Sequence, residues 1–246
     1  MLAAAPAVSG CGHHEEPRDH PSSVAKPNDP QPIASGEAPD PHLVDAPGVA
    51  TAKASVVKIA GKSPNCVLGG SGFVVATNRV MATADMLAGG ETFTVEVDGQ
   101  ILDAHVVSYD PHRDLAILNV PNLPAAPLSF AAEGAVGGSD AILLGYPEDR
   151  GFAAIPARVR EIIQLSGPDI YKTTTVTREV YMIRGAPPHG LSGGPLINPG
   201  GEVLGVAFGV AVDEPDTGFA LTAKEIAPQL ADLTNTVPVA TGLGLC

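Results

Sequence analysis

GLSGGPLINPGGEVLGVAFGV, residues 190–210, decides how this chain is read. Ser192 lies among Gly190, Gly193 and Gly194, on a turn tight enough to expose its hydroxyl. The same turn can aim the backbone N–H groups of Gly190 and Ser192 at one point, where a developing oxyanion would be held. Ser-Gly-Gly by itself also occurs in ordinary loops. Here two apolar, β-branched stretches follow, joined at Asn198-Pro199-Gly200-Gly201, which is a hairpin turn. Residues 190–210 thus read as a nucleophile turn that feeds a β-hairpin.

Outward from that hairpin the texture stays the same. AILLGYP (141–147), FAAIPARVREIIQL (152–165), VTREVYMIR (176–184) and GFALTA (218–223) are short, β-rich and separated by turn residues. An earlier set has the same character: ASVVKIAG (54–61), GFVVATNRVMATADM (72–86), TFTVEVDG (92–99), ILDAHVVSYD (101–110) and LAILNV (115–120). KEIAPQLADL (224–233) reads as a closing helix with Pro228 in its first turn, where its missing N–H is tolerated. The pattern predicts an all-β fold: two antiparallel β-barrels, a cleft between them and a C-terminal helix. No internal repeat is present.

The chain has 246 residues and a net charge of -13, from 14 basic and 27 acidic side chains. Such a surface argues against nucleic acid or anionic lipid headgroups as partners. No apolar run reaches the roughly 18 residues that a membrane span needs. Residues 51–246 form the predicted folded domain. Residues 12–50 hold eight prolines and no periodic apolar pattern. They read as a disordered tether, because they cannot bury enough surface to offset their ordering entropy. His13, His14, Glu15, Glu16 and His20 on it lack a rigid frame, so no metal site is assigned, and no motif calls for a cofactor. Residues 1–11 read as a remnant signal segment. Val8-Ser9-Gly10-Cys11 fits a lipobox, which makes Cys11 a candidate lipid attachment point, although only ten residues precede it and none is basic.

The sequence resembles the trypsin-like serine protease family, and within it the periplasmic serine proteases of mycobacteria. The likeness is carried by ASVVKI (54–59), VVSYDP (106–111), DLAIL (114–118), LGYPEDRGFAAIPARVREIIQLSGPDIY (144–171), LSGGPLI (191–197), VLGVAFG (203–209) and TGFALTAKEIAPQL (217–230). It implies a double β-barrel of two six-stranded antiparallel barrels, endopeptidase ancestry and an extracytoplasmic location. It carries the nucleophile onto Ser192 and the triad acid onto Asp114. It implies pocket walls from Ala207, Phe208 and Gly209, with Ala186 near the base and a small apolar P1 residue. It also implies a disulfide between Cys66 and Cys246.

Three departures stand out. The family's histidine follows the second strand in a T-A-H-V-V-like context. The matching stretch here is Ala82-Thr83-Ala84-Asp85-Met86, so Asp85 occupies the histidine position. The family's membrane-spanning helices have no counterpart in these residues. Leu191 stands before the nucleophile where Asp or Asn is usual. Ala104-His105-Val106-Val107 copies the family tetrapeptide, but it lies on the strand leading to Asp114; His112 and His189 are a loop and a pocket-rim histidine. A carboxylate has a reference pKa of about 3.9 and accepts a serine proton poorly. Beside Asp114, Asp85 would share one proton within a like-charge pair. The expectation is a secreted or surface-tethered pseudoprotease that keeps a cleft for a peptide or protein ligand. The competing reading is an active serine endopeptidase with an unorthodox base.

Overall fold

The computed structural model describes residues 37–244 apart from Asp149, Ala186 and Asp232. Cys11, Cys246, Ala186, the signal segment and most of the expected tether lie outside the described residues.

Strands β1 (Val56–Lys62), β2 (Val67–Ala76), β3 (Arg79–Ala82), β4 (Thr92–Val97), β5 (Gln100–Asp110) and β6 (Leu115–Asn119) form the first sheet. Its order is β1-β2-β3-β6-β5-β4, and β4 pairs back onto β1. Strands β7 (Asp140–Gly145), β8 (Ala153–Pro168), β9 (Thr175–Arg184), β10 (Pro195–Ile197), β11 (Val203–Val210) and β12 (Thr217–Thr222) form the second. Its order is β10-β11-β12-β9-β8-β7, and β7 pairs back onto β10. Every ladder is antiparallel, as the short alternating strands demand. In β4, for example, Phe93, Val95 and Val97 point inward while Thr92 and Glu96 face solvent.

Each barrel has its own apolar filling. Val57, Ile59, Val74, Val80, Val95 and Leu118 fill the first. Leu143, Val159, Tyr181, Ile183, Leu196 and Leu204 belong to the second. A third cluster draws on both: Phe73, Met81, Leu115 and Ile117 meet Ile142, Leu144, Val180, Val206 and Leu221. That shared layer fixes the two barrels against each other, and the cleft opens at its edge.

Three details differ from the sequence expectations. The run 72–86 is not one strand. It turns at Asn78, whose φ is 59°, and ends in a 3-10 turn, Asp85–Leu87. Pro228 lies in the last turn of helix α2, not the first. That helix runs Ala223–Leu230 and starts at a Thr222–Glu225 capping pair, with the Glu225 N–H donating to Thr222 Oγ1 at 3.2 Å. Proline has no N–H to continue the ladder, so the helix stops two residues later. The third difference concerns the tether. Residues 41–53 are ordered, as a 3-10 turn Pro41–Asp45 followed by helix α1, Pro47–Lys53. Leu43, Val49 and Ala52 bury an apolar side that composition alone concealed. Helix α1 docks on the 198–201 hairpin turn, where the Gly48 N–H donates to Pro199 O at 3.2 Å and a Cβ on Gly48 would collide with the Gly201 backbone.

After α2, the chain leaves the second barrel and runs back over the first. Arg79, buried on β3, donates from Nε to Leu233 O at 2.8 Å and from Nη2 to Asn235 O at 3.0 Å. The Asn235 side chain donates to Val107 O at 2.7 Å, and Val239 N–H to Val106 O at 2.8 Å. Gly89 N–H then donates to Thr241 O at 3.1 Å, just beyond the 3-10 turn that carries Asp85.

Candidate active site

The loop between β9 and β10 carries Ser192. Gly190 and Gly193 have φ of 91° and 84°, a region that side-chain-bearing residues seldom occupy. A Cβ on Gly193 would also strike the Ser71 carbonyl. Leu191 is fully buried and packs in the second barrel's core, which anchors the turn apolarly where the family more often has a polar residue.

Almost every backbone polar group around the turn is committed. Leu191 N–H donates to Pro188 O, Gly193 N–H to Ala207 O and Gly194 N–H to Leu191 O, at 3.2, 2.8 and 2.9 Å. The His189 carbonyl accepts from Glu148 N–H at 3.3 Å, and the Ser192 carbonyl from Ser71 N–H at 3.1 Å. Gly190 O accepts from Ser71 Oγ at 2.6 Å. Two N–H groups are left without a partner among the described residues: those of Gly190 and Ser192, the pair that the sequence singled out.

Ser71 was not visible as a site residue. It sits on β2 with no exposed surface. Its hydroxyl donates to Gly190 O and accepts from Tyr146 N–H at 2.8 Å, so a first-barrel strand shapes a second-barrel turn. The only sequence signal was a serine inside the glycine run Gly69-Gly70-Ser71-Gly72.

Asp85 and Asp114 meet across the cleft from Ser192's own barrel. Asp114 lies on the β5–β6 turn with φ 61° and is 5% exposed. Its Oδ1 accepts from the Asp85 backbone N–H at 2.8 Å. Asp85 Oδ1 in turn accepts from Met86 N–H at 2.7 Å, so this carboxylate folds back on its own turn. Burial first, and then the charge of Asp85, push the Asp114 carboxyl well above the usual carboxylate range. Arg178 opposes this from β9, but its guanidinium donates to His112 O at 2.8 Å and lies 6.0 Å from the Phe208 ring. Tyr109 faces the same pair from β5, with its hydroxyl on that of Tyr171 at 2.8 Å, and burial raises it far above a normal phenol.

No hydrogen bond joins Ser192 Oγ to Asp85, or to a histidine, among the described residues. His105, His112 and His189 are all exposed, on β5, on the β5–β6 turn and ahead of the nucleophile turn. Ala207, Phe208 and Gly209 lie on β11, with a bulge between 207 and 209. A Cβ on Gly209 would meet nothing within 4 Å, so that wall is open.

Residues 70–206 match the family model described as a trypsin-like peptidase domain. The chain belongs to this family. It is 51% identical over 223 residues to serine protease Rv3671c of Mycobacterium tuberculosis H37Rv, an alignment covering 89% of this chain and 56% of that protein. It thus spans a little over half the length of that trypsin-like relative. Against the crystal structure of the Rv3671c protease in its active form, the TM-score is 0.86 at 50% identity, over 91% of this chain and 100% of that one. Against the inactive form it is 0.73 at 52% identity, over 81% and 98%. A protein named as a DegP-like periplasmic serine endoprotease, from Brucella suis biovar 1, is 31% identical over 178 residues, covering 65% of this chain and 32% of that protein. Among the described residues no helix is long and apolar enough to cross a membrane.

Proposed function

We propose that this chain is a secreted or surface-tethered trypsin-like protease homologue whose peptide cleft persists while its hydrolytic turnover is lost or very weak. One observation carries the reading. The side chain that the family resemblance sets at the general-base position, Asp85, is a carboxylate bonded to Met86 N–H, and among the described residues Ser192 Oγ makes no hydrogen bond to it or to a histidine. Serine attack needs a group that takes the hydroxyl proton and returns it to the leaving amine. In another serine protease, loss of the histidine alone costs on the order of a millionfold in turnover. The rest of the machinery is in place: Ser192 as the residue a nucleophile would be, Asp114 as the buried acid, and Gly190 and Ser192 as the oxyanion-hole donors. The greater likeness to the active form of Rv3671c supports a formed cleft. Its walls are taken as Ala207, Phe208 and Gly209, which suit a small apolar P1 side chain; Ala186, expected near the base, lies outside the described residues.

The second reading, an active serine endopeptidase, is favoured by the 51% identity to a protein named a serine protease. A fluorophosphonate probe separates the two. The first reading expects no Ser192-dependent labelling of wild type and clear labelling of Asp85→His. Labelling of wild type at a rate typical of serine proteases, abolished by Ser192→Ala, establishes the second.

Location and tethering complete the proposal. The protein acts outside the cytoplasm, held through residues 12–36 with Cys11 as the lipid attachment point. Cys66 is disulfide-bonded, and Cys246 is the partner we assign. The assignment is supported by the strap that runs past Thr241: Gly244 lies against Gly89 and lines one pocket with Ser63, Pro64 and Asn65, and the Gly90 carbonyl accepts from Thr241 Oγ1 at 3.1 Å.

A further inference from the structure

The two unpartnered N–H groups of Gly190 and Ser192 are held, not loose. The Gly190 N–H belongs to a peptide plane whose other end, His189 O, is fixed by Glu148 N–H. The plane between 190 and 191 is fixed at both ends, by Ser71 Oγ and by Pro188 O. The Ser192 N–H shares its plane with Leu191 O, which accepts from Gly194 N–H. Orphan N–H groups in a half-buried turn are costly unless something occupies them. Unpaired backbone N–H groups in such a glycine-rich turn favour an anion.

In an active enzyme that anion would be transient. Here the reading proposed above, on which this inference rests, removes the step that creates it. We propose that the site is a receptor for polypeptide C-termini: Gly190 N–H and Ser192 N–H grip one oxygen of a terminal carboxylate, and the Ser192 hydroxyl donates to the other. The ligand is an extended chain end whose last side chain is small and apolar, seated beside Ala207 and Gly209. A carboxylate fits better than a phosphate, because the arginine that acts on Asp114 is already engaged. Arg178, the cation that acts on Asp114, is engaged by His112 O and stacked on Phe208.

The charges around the site set its pH dependence. Asp85 from the 3-10 turn and Asp114 from the β5–β6 turn repel a carboxylate when ionised. Arg178 from β9 attracts it, and Tyr109 from β5 stays neutral. His189 lies in the turn itself and Glu148 on the facing loop. The raised Asp114 carboxyl, which sheds its charge as pH falls, favours binding at mild acidity. The limit is the ligand, whose α-carboxyl protonates at about 3.5. Affinity should therefore rise as pH falls from neutrality, until the ligand itself is protonated.

The test uses the full chain and a fluorescein-labelled Ala-Ala-Pro-Ala peptide, followed by anisotropy. It is compared with the same peptide as a C-terminal amide, at pH 5 and pH 7. The acid should bind about tenfold more tightly than the amide at pH 5, with the ratio shrinking at pH 7. Asp85→Asn should restore the ratio at pH 7. Gly190→Ala should abolish it, since a Cβ there lies 2.7 Å from Glu148 N. If that variant unfolds, Glu148→Pro removes the N–H that orients the Gly190 plane and sets a proline ring against the His189 carbonyl, and should cut the preference several-fold. Equal affinity for acid and amide, binding of neither, or a preference that survives in a folded Glu148→Pro protein overturns the proposal. The functional reading fails separately, by hydrolysis of a longer reporter peptide. The tetrapeptide has no role in that assay.

Discussion

Replacing Ser71 with alanine removes one oxygen and strands two backbone groups on opposite sides of the interface between the barrels. Gly190 O loses its 2.6 Å donor and Tyr146 N–H its 2.8 Å acceptor. Ser71 has no exposed surface, so water has no ready path to replace the hydroxyl. A buried group left unpaired costs about 1–3 kcal/mol, and two in one half-buried network about 2–4 kcal/mol together. For a domain of this size that lowers Tm by roughly 5–15 °C. Thermal and urea melts of wild type and Ser71→Ala measure it. The same variant should lose affinity for C-terminal peptides, because the plane before Leu191 is then held only at its Pro188 end. A stability change below about 0.5 kcal/mol, with peptide affinity unaltered, refutes the view that this serine organises the turn.

Asp85→His should return hydrolysis of small apolar-P1 peptides, on the order of a thousandfold above wild type but short of a normal protease. Met86 limits it, as its Cε presses on Gly70 beside the Ser192 carbonyl; adding Met86→Val should raise the rate further, and silence of both folded variants shows that more than one residue was lost. Asp85→Asn should stabilise the domain more at pH 7 than at pH 4. The folded Asp114 titrates above its unfolded value, so stability falls as pH rises from about 3.9 through the raised native value and stays low above it; a variant-to-wild-type Tm difference that does not change with pH contradicts this. Cys66→Ser should destabilise by up to about 5 kcal/mol in the loop-entropy limit, and thiol titration of the oxidised wild type should find Cys246 protected; a reactive Cys246 refutes the pairing.

Much of this was legible in the residues. Most strands could be placed because alternation such as Phe93-Val95-Val97 records one buried face directly, and turn residues such as Asn198-Pro199-Gly200 mark where it ends; the run 72–86 concealed a break between two of them. The nucleophile turn was legible because glycine at 190 and 193 is a local demand of the backbone. What stayed hidden was what depends on distant partners. Ser71 looks like any strand serine until its acceptor, 119 positions away, comes beside it. Helix α1 is seven residues long, too short to signal by periodicity, and exists because Gly48 lets it touch a hairpin far along the chain. Asp85 was singled out by its place after the second strand, but no sequence pattern shows a carboxylate turned back on the next residue's amide.

The strap from Leu233 to Gly244 has a mechanical meaning. It starts from the second barrel and is fastened along the first, by Arg79, Asn235, Val239 and Thr241. A force drawn on Gly244 therefore does not prise the barrels apart. It loads the first barrel at the β5 edge and at Gly89–Gly90, one fastening after another, like a seam. The loop that bears Asp85 is among the first places to feel that pull, whereas the Ser192 turn carries none of these fastenings. Tension on this chain end would reach one half of the cleft and spare the other.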